Sequence, residues 1–230
     1  MRGHGSLNCQ RILAALMTGI AWQGAALAQH RPTTAGEAVQ RFACENDGLI
    51  GGAPFGCQLL VRSTVAAFPD GPLFWHLRSF DTLAEAEKAR APQDVLAAAG
   101  GQAWLFSFGP ESQPRAGRLV GRVGPLPLAR IGPFQIQLWY VVMPPGTSTG
   151  SHVHPGPEAW YVLEGEQCLD TPDGPIRARA GQGAVVAGNI PMRLFNPGTG
   201  TRRALFIVIH NPSVAEASSS QWTPSGACSR

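Results

Sequence analysis

Short apolar runs, many of them alternating with period two, recur along the chain between clusters of turn residues. CQLLVRSTV, from Cys57, reads as a strand that leads to a Pro69-Asp70-Gly71-Pro72 turn, and LFWHLRSF (73–80) reads as a second. DTLAEAEKAR (81–90) breaks the alternation. Asp81 or Thr82 is placed as its N-cap, Glu85 suits a capping box, its residues are good helix formers, and Pro92 stops it. A third strand centred on 104–108 follows within VLAAAGGQAWLFSFG. Together these predict a small α/β region over residues 29–115, polar and loose up to about 43. Residues 111–124 read as a linker with an edge strand. From Pro133 the strands come closer together: FQIQLWYVVM, EAWYVLEGEQCLDT, PIRARA, GAVVA and TRRALFIVIH, separated by Pro-Pro-Gly, Pro-Asp-Gly and Asn-Pro-Gly turns. That spacing predicts a β-sandwich or barrel over 116–212, with a Ser-rich tail, 213–230, anchored at best by Trp222 and Cys228.

Composition sharpens this reading. Glycine (28) and proline (20) suit many tight turns, and only 14% charged residues disfavour a long solvated helical bundle. The N-terminus has Arg2 and Arg11, an apolar run from Ile12 to Trp22 and the small-residue site Ala26-Leu27-Ala28, the order of a secretory signal peptide over residues 1–28. The run is too short to span a bilayer, which needs roughly 20 apolar residues. No membrane span is therefore expected after cleavage, and the expected location is periplasmic or secreted. Cleavage removes two arginines and brings the formal net charge from +3 to +1. Without a basic cluster, nucleic acid is not an expected partner.

Export places Cys44, Cys57, Cys168 and Cys228 in an oxidising compartment, where four cysteines allow three pairings. Cys44–Cys57, around an Asn46-Asp47-Gly48 turn, and Cys168–Cys228, clasping the tail to the barrel, are the favoured pairs. Four buried thiols remain the alternative.

The chemistry concentrates in GTSTGSHVHPGPEAWYVLEG (146–165). His152 and His154 stand two apart, so both rings share one face of a strand, and the Pro155-Gly156-Pro157 turn brings Glu158 beside them. Two imidazoles and a carboxylate make a facial ligand set with open positions. Gly146, His152, His154, Glu158 and Gly165 fill the fixed positions of a motif that resembles the first motif of the cupin superfamily. The resemblance implies a mainly β, cupin-type double-stranded β-helix (jelly-roll) barrel and a divalent metal ion, Fe, Mn, Zn, Ni or Cu, held by these three residues. Of the second motif, Gly181 and Asn196 match, but Ala187, Asn189 and Met192 replace its proline, glycine and histidine. Met192 is either a thioether ligand suited to a soft ion or an apolar filler. Trp160 shares the parity of Glu158 and is placed to line the same pocket.

The likeness names a fold rather than a reaction. The expected function is metal-dependent chemistry on a small organic molecule, dioxygenase-like oxidoreduction, isomerisation or Lewis-acid catalysis. A non-catalytic ligand-binding or sensing module is the alternative, and pairing into a homodimer is a further expectation. No phosphate loop or dinucleotide fingerprint is present.

Overall fold

The computed structural model describes residues 48–50, 53–128 and 131–229. The signal-peptide segment and Cys44 lie outside the described residues. The chain runs through β1 (Gly48–Ile50), β2 (Ala53–Val65), β3 (Phe74–Phe80), α1 (Leu83–Ala89), β4 (Val95–Ala99), β5 (Gln102–Gly109) and β6 (Arg118–Val123). It continues through β7 (Phe134–Met143), β8 (His152–Val153), β9 (Glu158–Glu164), β10 (Glu166–Thr171), β11 (Gly174–Arg179), β12 (Gly183–Val186), β13 (Arg193–Phe195), β14 (Arg202–His210) and β15 (Ser218–Ser219), ending in a 3-10 turn, Ala227–Ser229. All described pairings are antiparallel, and the fold is mainly β.

Four sheets form. The largest has the order β1-β2-β7-β14-β9-β12, and a three-stranded sheet, β11-β10-β13, closes over one face of it. A four-stranded sheet, β4-β5-β3-β6, covers the other face, and β15 pairs with β8 at the barrel mouth. The large sheet is buried on both faces, which explains why FQIQLWYVVM and RRALFIVIH are nearly continuous apolar runs. Ile136, Leu138, Tyr161, Leu205 and Ile207 pack outward against Trp75, Leu77, Trp104 and Phe106 of the four-stranded sheet. Val141, Met143, Trp160, Val162, Phe206 and Val208 point inward to meet Leu169, Ala178 and Leu194.

Several expectations shift in detail. The predicted helix forms over a shorter span, with Thr82 as N-cap: its hydroxyl accepts from the Glu85 backbone N–H at 3.2 Å. The stretch read as one strand around 104–108 is a hairpin, β4 and β5, turning at Gly100-Gly101. EAWYVLEGEQCLDT divides into β9 and β10 at Gly165, whose φ of +76° is left-handed backbone that glycine adopts without strain. The region expected to be α/β is an antiparallel sheet with one short helix, because β3 to β6 pair by direct return rather than by helical crossovers. Residues 115 and 116 mark no division between sheets. β2, from the N-terminal side, joins the barrel beside β7, and β6 joins β3 in the outer sheet.

Candidate metal centre

The mouth of the barrel is built by a short stretch of chain. β8 ends just after His152, and His154 follows before the chain reverses through Pro155-Gly156-Pro157 to open β9 at Glu158. Gly156 is needed there for space: a Cβ at this position would lie 1.8 Å from the Ile209 carbonyl oxygen. The close approach lets Ile209 N–H donate to Pro157 O at 3.1 Å, pinning the turn against β14.

One donor atom from each of His152, His154 and Glu158 lies within 4.8 Å of the others. His154 Nε2 is 3.5 Å from Glu158 Oε1, and the two imidazole planes stand at 87° to each other. His152 Nδ1 donates to Gly150 O at 2.9 Å, and His154 Nδ1 donates to Glu216 O at 2.8 Å. A carbonyl only accepts, so each bond puts the proton on Nδ1 and leaves the Nε2 lone pair for a ligand, the outer-shell arrangement of metal-binding histidines. Glu158 is 1% exposed and its Oε2 has no hydrogen-bond partner. A buried carboxylate oxygen left unmatched is costly, and a cation among the three donors would satisfy it. The donor set suits a first-row divalent metal.

Burial sets the charges. It raises the Glu158 carboxyl to about 7, against the opposing pull of His152, the Trp160 indole and Arg202. It lowers His154 to about 4, despite the bond to Glu216 O, with His210 adding to the decrease. His152 is lowered by the same cause, partly offset by Glu158. Both imidazoles are thus neutral near pH 7, as metal ligation requires.

Next to these residues is a cavity of about 300 Å³. Trp160 lines it, as the parity of β9 predicts, and stacks on Phe206 at 4.2 Å between ring centroids. Its outer face carries the Arg202 guanidinium at 4.5 Å. Cys57 also sits on the cavity wall, buried on β2. Met192 does not line the cavity. It exchanges both backbone hydrogen bonds with His152, at 2.9 and 3.0 Å, and its side chain packs into the inner core. Asn196, the matching end of the second motif, holds a turn: its amide donates to Met143 O and Gly200 O, each at 3.0 Å.

The tail does more than expected. Cys168 and Cys228 form a disulfide with Cα atoms 5.5 Å apart. The Asp170 carboxylate accepts from Ser225 Oγ at 2.9 Å and Gly226 N at 3.0 Å. β15 pairs with the strand carrying His152, and Glu216, the only acid in residues 213–230, lines the cavity. Burial is the main cause raising its carboxyl to about 7, and Glu158 adds to the rise. Glu216, Trp139 and Phe206 were missed from sequence. The last two share an inward parity with Val141 and Val208 that could have revealed them.

Residues 139–208 match a family model described as cupin domain. No curated protein matches the chain. Among solved structures, it is similar to a cupin family protein with a double-stranded β-helix fold from Methanocaldococcus jannaschii, at 20% identity over 31% of this chain and 67% of that one, with a TM-score of 0.30. It is also similar to a DMSP lyase from Ruegeria pomeroyi, at 21% identity over 40% of this chain and 45% of that one, with a TM-score of 0.34. An oxalate decarboxylase from Lactobacillus farciminis aligns at 22% identity over 36% of this chain and 26% of that one, with a TM-score of 0.32. This chain spans less than half the length of the lyase and of the decarboxylase.

Proposed function

We propose that this chain, which carries a cupin domain at residues 139–208, is an exported protein that holds a divalent metal on His152, His154 and Glu158 and acts there on a small organic molecule. One observation carries the reading: three donors converge within 4.8 Å, two of them imidazoles held in the Nδ1–H form and one a buried carboxylate with an unmatched oxygen. When bound, the metal supplies Lewis-acid or oxygen-dependent chemistry at its open positions. The chain's own residues do the rest. Gly150 and Glu216 carbonyls orient the imidazoles, the aromatic wall excludes water, and Glu216 places a second carboxyl at the cavity. Export is supported by the order of charge, apolar run and Ala26-Leu27-Ala28 at the N-terminus.

A non-catalytic ligand-binding reading draws on Met192, which stands where a fourth nitrogen ligand is expected and packs into the core instead. Thermal unfolding in the presence of Fe, Mn, Zn, Ni or Cu tests the metal reading. A metal present at about 100 times its dissociation constant adds about 2.7 kcal/mol to stability. The wild type is expected to show a higher Tm with at least one metal, and Glu158→Gln is expected to show no shift. A wild type indifferent to all five defeats the proposal. Turnover of an organic substrate by the loaded protein separates the enzyme from the binding module.

A further inference from the structure

We infer that the cavity takes a flat, largely apolar molecule that presents a hydroxyl-bearing edge to the triad, a phenolic compound by chemical class. The inference deepens the metal reading above and rests on it for the ligand's polar edge. Size comes first. An apolar cavity of about 150 Å³ accepts benzene, so the 300 Å³ here suits a substituted ring or two fused rings.

The wall sets the shape and polarity. Trp139, Phe206 and Trp160 are cross-strand neighbours on β7, β14 and β9, and Phe206 lies opposite both tryptophans in the register. Trp139 and Phe206 are stacked at 5.9 Å with 5° between planes, and Phe206 and Trp160 at 4.2 Å with 27°. Stacked on one another, the three rings present edges rather than faces to the cavity, the geometry in which a flat aromatic ligand meets them edge to face, and Val141, Met143 and Leu194 add further apolar wall.

The polar groups belong to the triad, Glu216 and Thr149. The indole N–H of Trp160 faces Glu158 and that of Trp139 faces Glu216, yet neither meets its carboxyl in an aligned hydrogen bond. Among the described residues, no lysine or arginine lines the cavity. Arg202 is fully buried behind Trp160 and bonds to Gln167 and Met143. A small dianion would meet the Glu158 and Glu216 carboxyls, with no lysine or arginine on the cavity wall to match its second charge. A phenol carries its bulk as apolar surface and needs at most one charge at the metal.

The test is calorimetric titration of the zinc-loaded full chain, zinc being redox-inert, with naphthalene-2,3-diol and separately with oxalate. The diol is expected to bind at least tenfold more tightly than oxalate. Trp139→Leu should weaken the diol about tenfold by removing one ring, and Ala217→Trp, which fills the cavity from the tail side, should abolish diol binding. Near-UV circular dichroism and zinc content confirm that each variant is folded and loaded. Oxalate binding as tight as the diol, or diol binding unchanged in both folded variants, overturns the inference. If zinc binds and the diol does not, the ligand class fails while the metal reading stands. If zinc does not bind, yet the diol binds the metal-free chain and Ala217→Trp blocks it, the apolar ligand class stands and the metal reading fails.

Discussion

Burial raises the Glu158 carboxyl to about 7 and lowers His154 to about 4, so between those values the metal-free pair is a neutral acid beside a neutral imidazole. A metal must displace the Glu158 proton below pH 7 and meets no competing proton on His154 until far lower. Metal affinity is therefore expected to fall about tenfold per pH unit below pH 7 and to level off above it, measured by chelator competition from pH 5.5 to 8.5. An affinity unchanged across that range would contradict this. Stability of the metal-free chain carries the same signature. Glu158 binds its proton more tightly folded than unfolded, so its contribution falls as pH rises from 4.5 to about 7. His154 works oppositely, its contribution rising as pH climbs from about 4 to 6.5. Glu158→Gln should remove the first effect, raising metal-free stability at pH 8 by roughly 3 kcal/mol in urea unfolding while abolishing metal binding. The triad itself was legible, because H-x-H followed by a turn and a carboxylate specifies one face and one corner of the chain. Its outer shell was not. Gly150 and Glu216 act through main-chain carbonyls, which carry no mark of residue type.

At the scale of elements, the C-terminal segment is the part the sequence concealed most. Ser-rich composition reads as a loose tail, yet β15 pairs with β8 and Ser220 N–H donates to Ser151 O at 2.9 Å, again through main chain. The cysteine pairing that clasps it was legible, since Cys168 sits on a barrel strand and Cys228 near the end of the chain. The bond closes a separation of 60 residues, worth about 4 kcal/mol in the chain-entropy model. Cys228→Ser is expected to lower stability by about that amount and to weaken metal binding 10–100-fold, as loss of an outer-shell partner does, because the carbonyl that fixes His154 is no longer held. Unaltered metal affinity in Cys228→Ser would show that the tail is not part of the site. The helix was legible from Thr82 and Pro92, where local chemistry decides the ends. The place of β2 was not, because its partner β7 lies some seventy residues further along and strand pairing at that range leaves no local signature.

The described residues form three layers with two cores, and one sheet serves both. The alternation within FQIQLWYVVM is hidden because its outward residues meet the four-stranded sheet while its inward residues fill the barrel. The outer core therefore bears on stability without touching the metal centre. Trp75 is fully buried against Phe106. Trp75→Ala is expected to cost 3–5 kcal/mol, read by denaturant unfolding, with the metal content per folded chain unchanged. Among the described residues no helix is long and apolar enough to cross a membrane.

Elemental analysis of the purified chain beside its His154→Ala variant tests the metal centre most directly. The expected result is about one equivalent of a first-row divalent metal per wild-type chain and less than about a tenth in the variant, with the same circular dichroism spectrum for both. Equal metal in the two proteins, or none in either after loading with Fe, Mn, Zn, Ni and Cu, would contradict a site built on His152, His154 and Glu158.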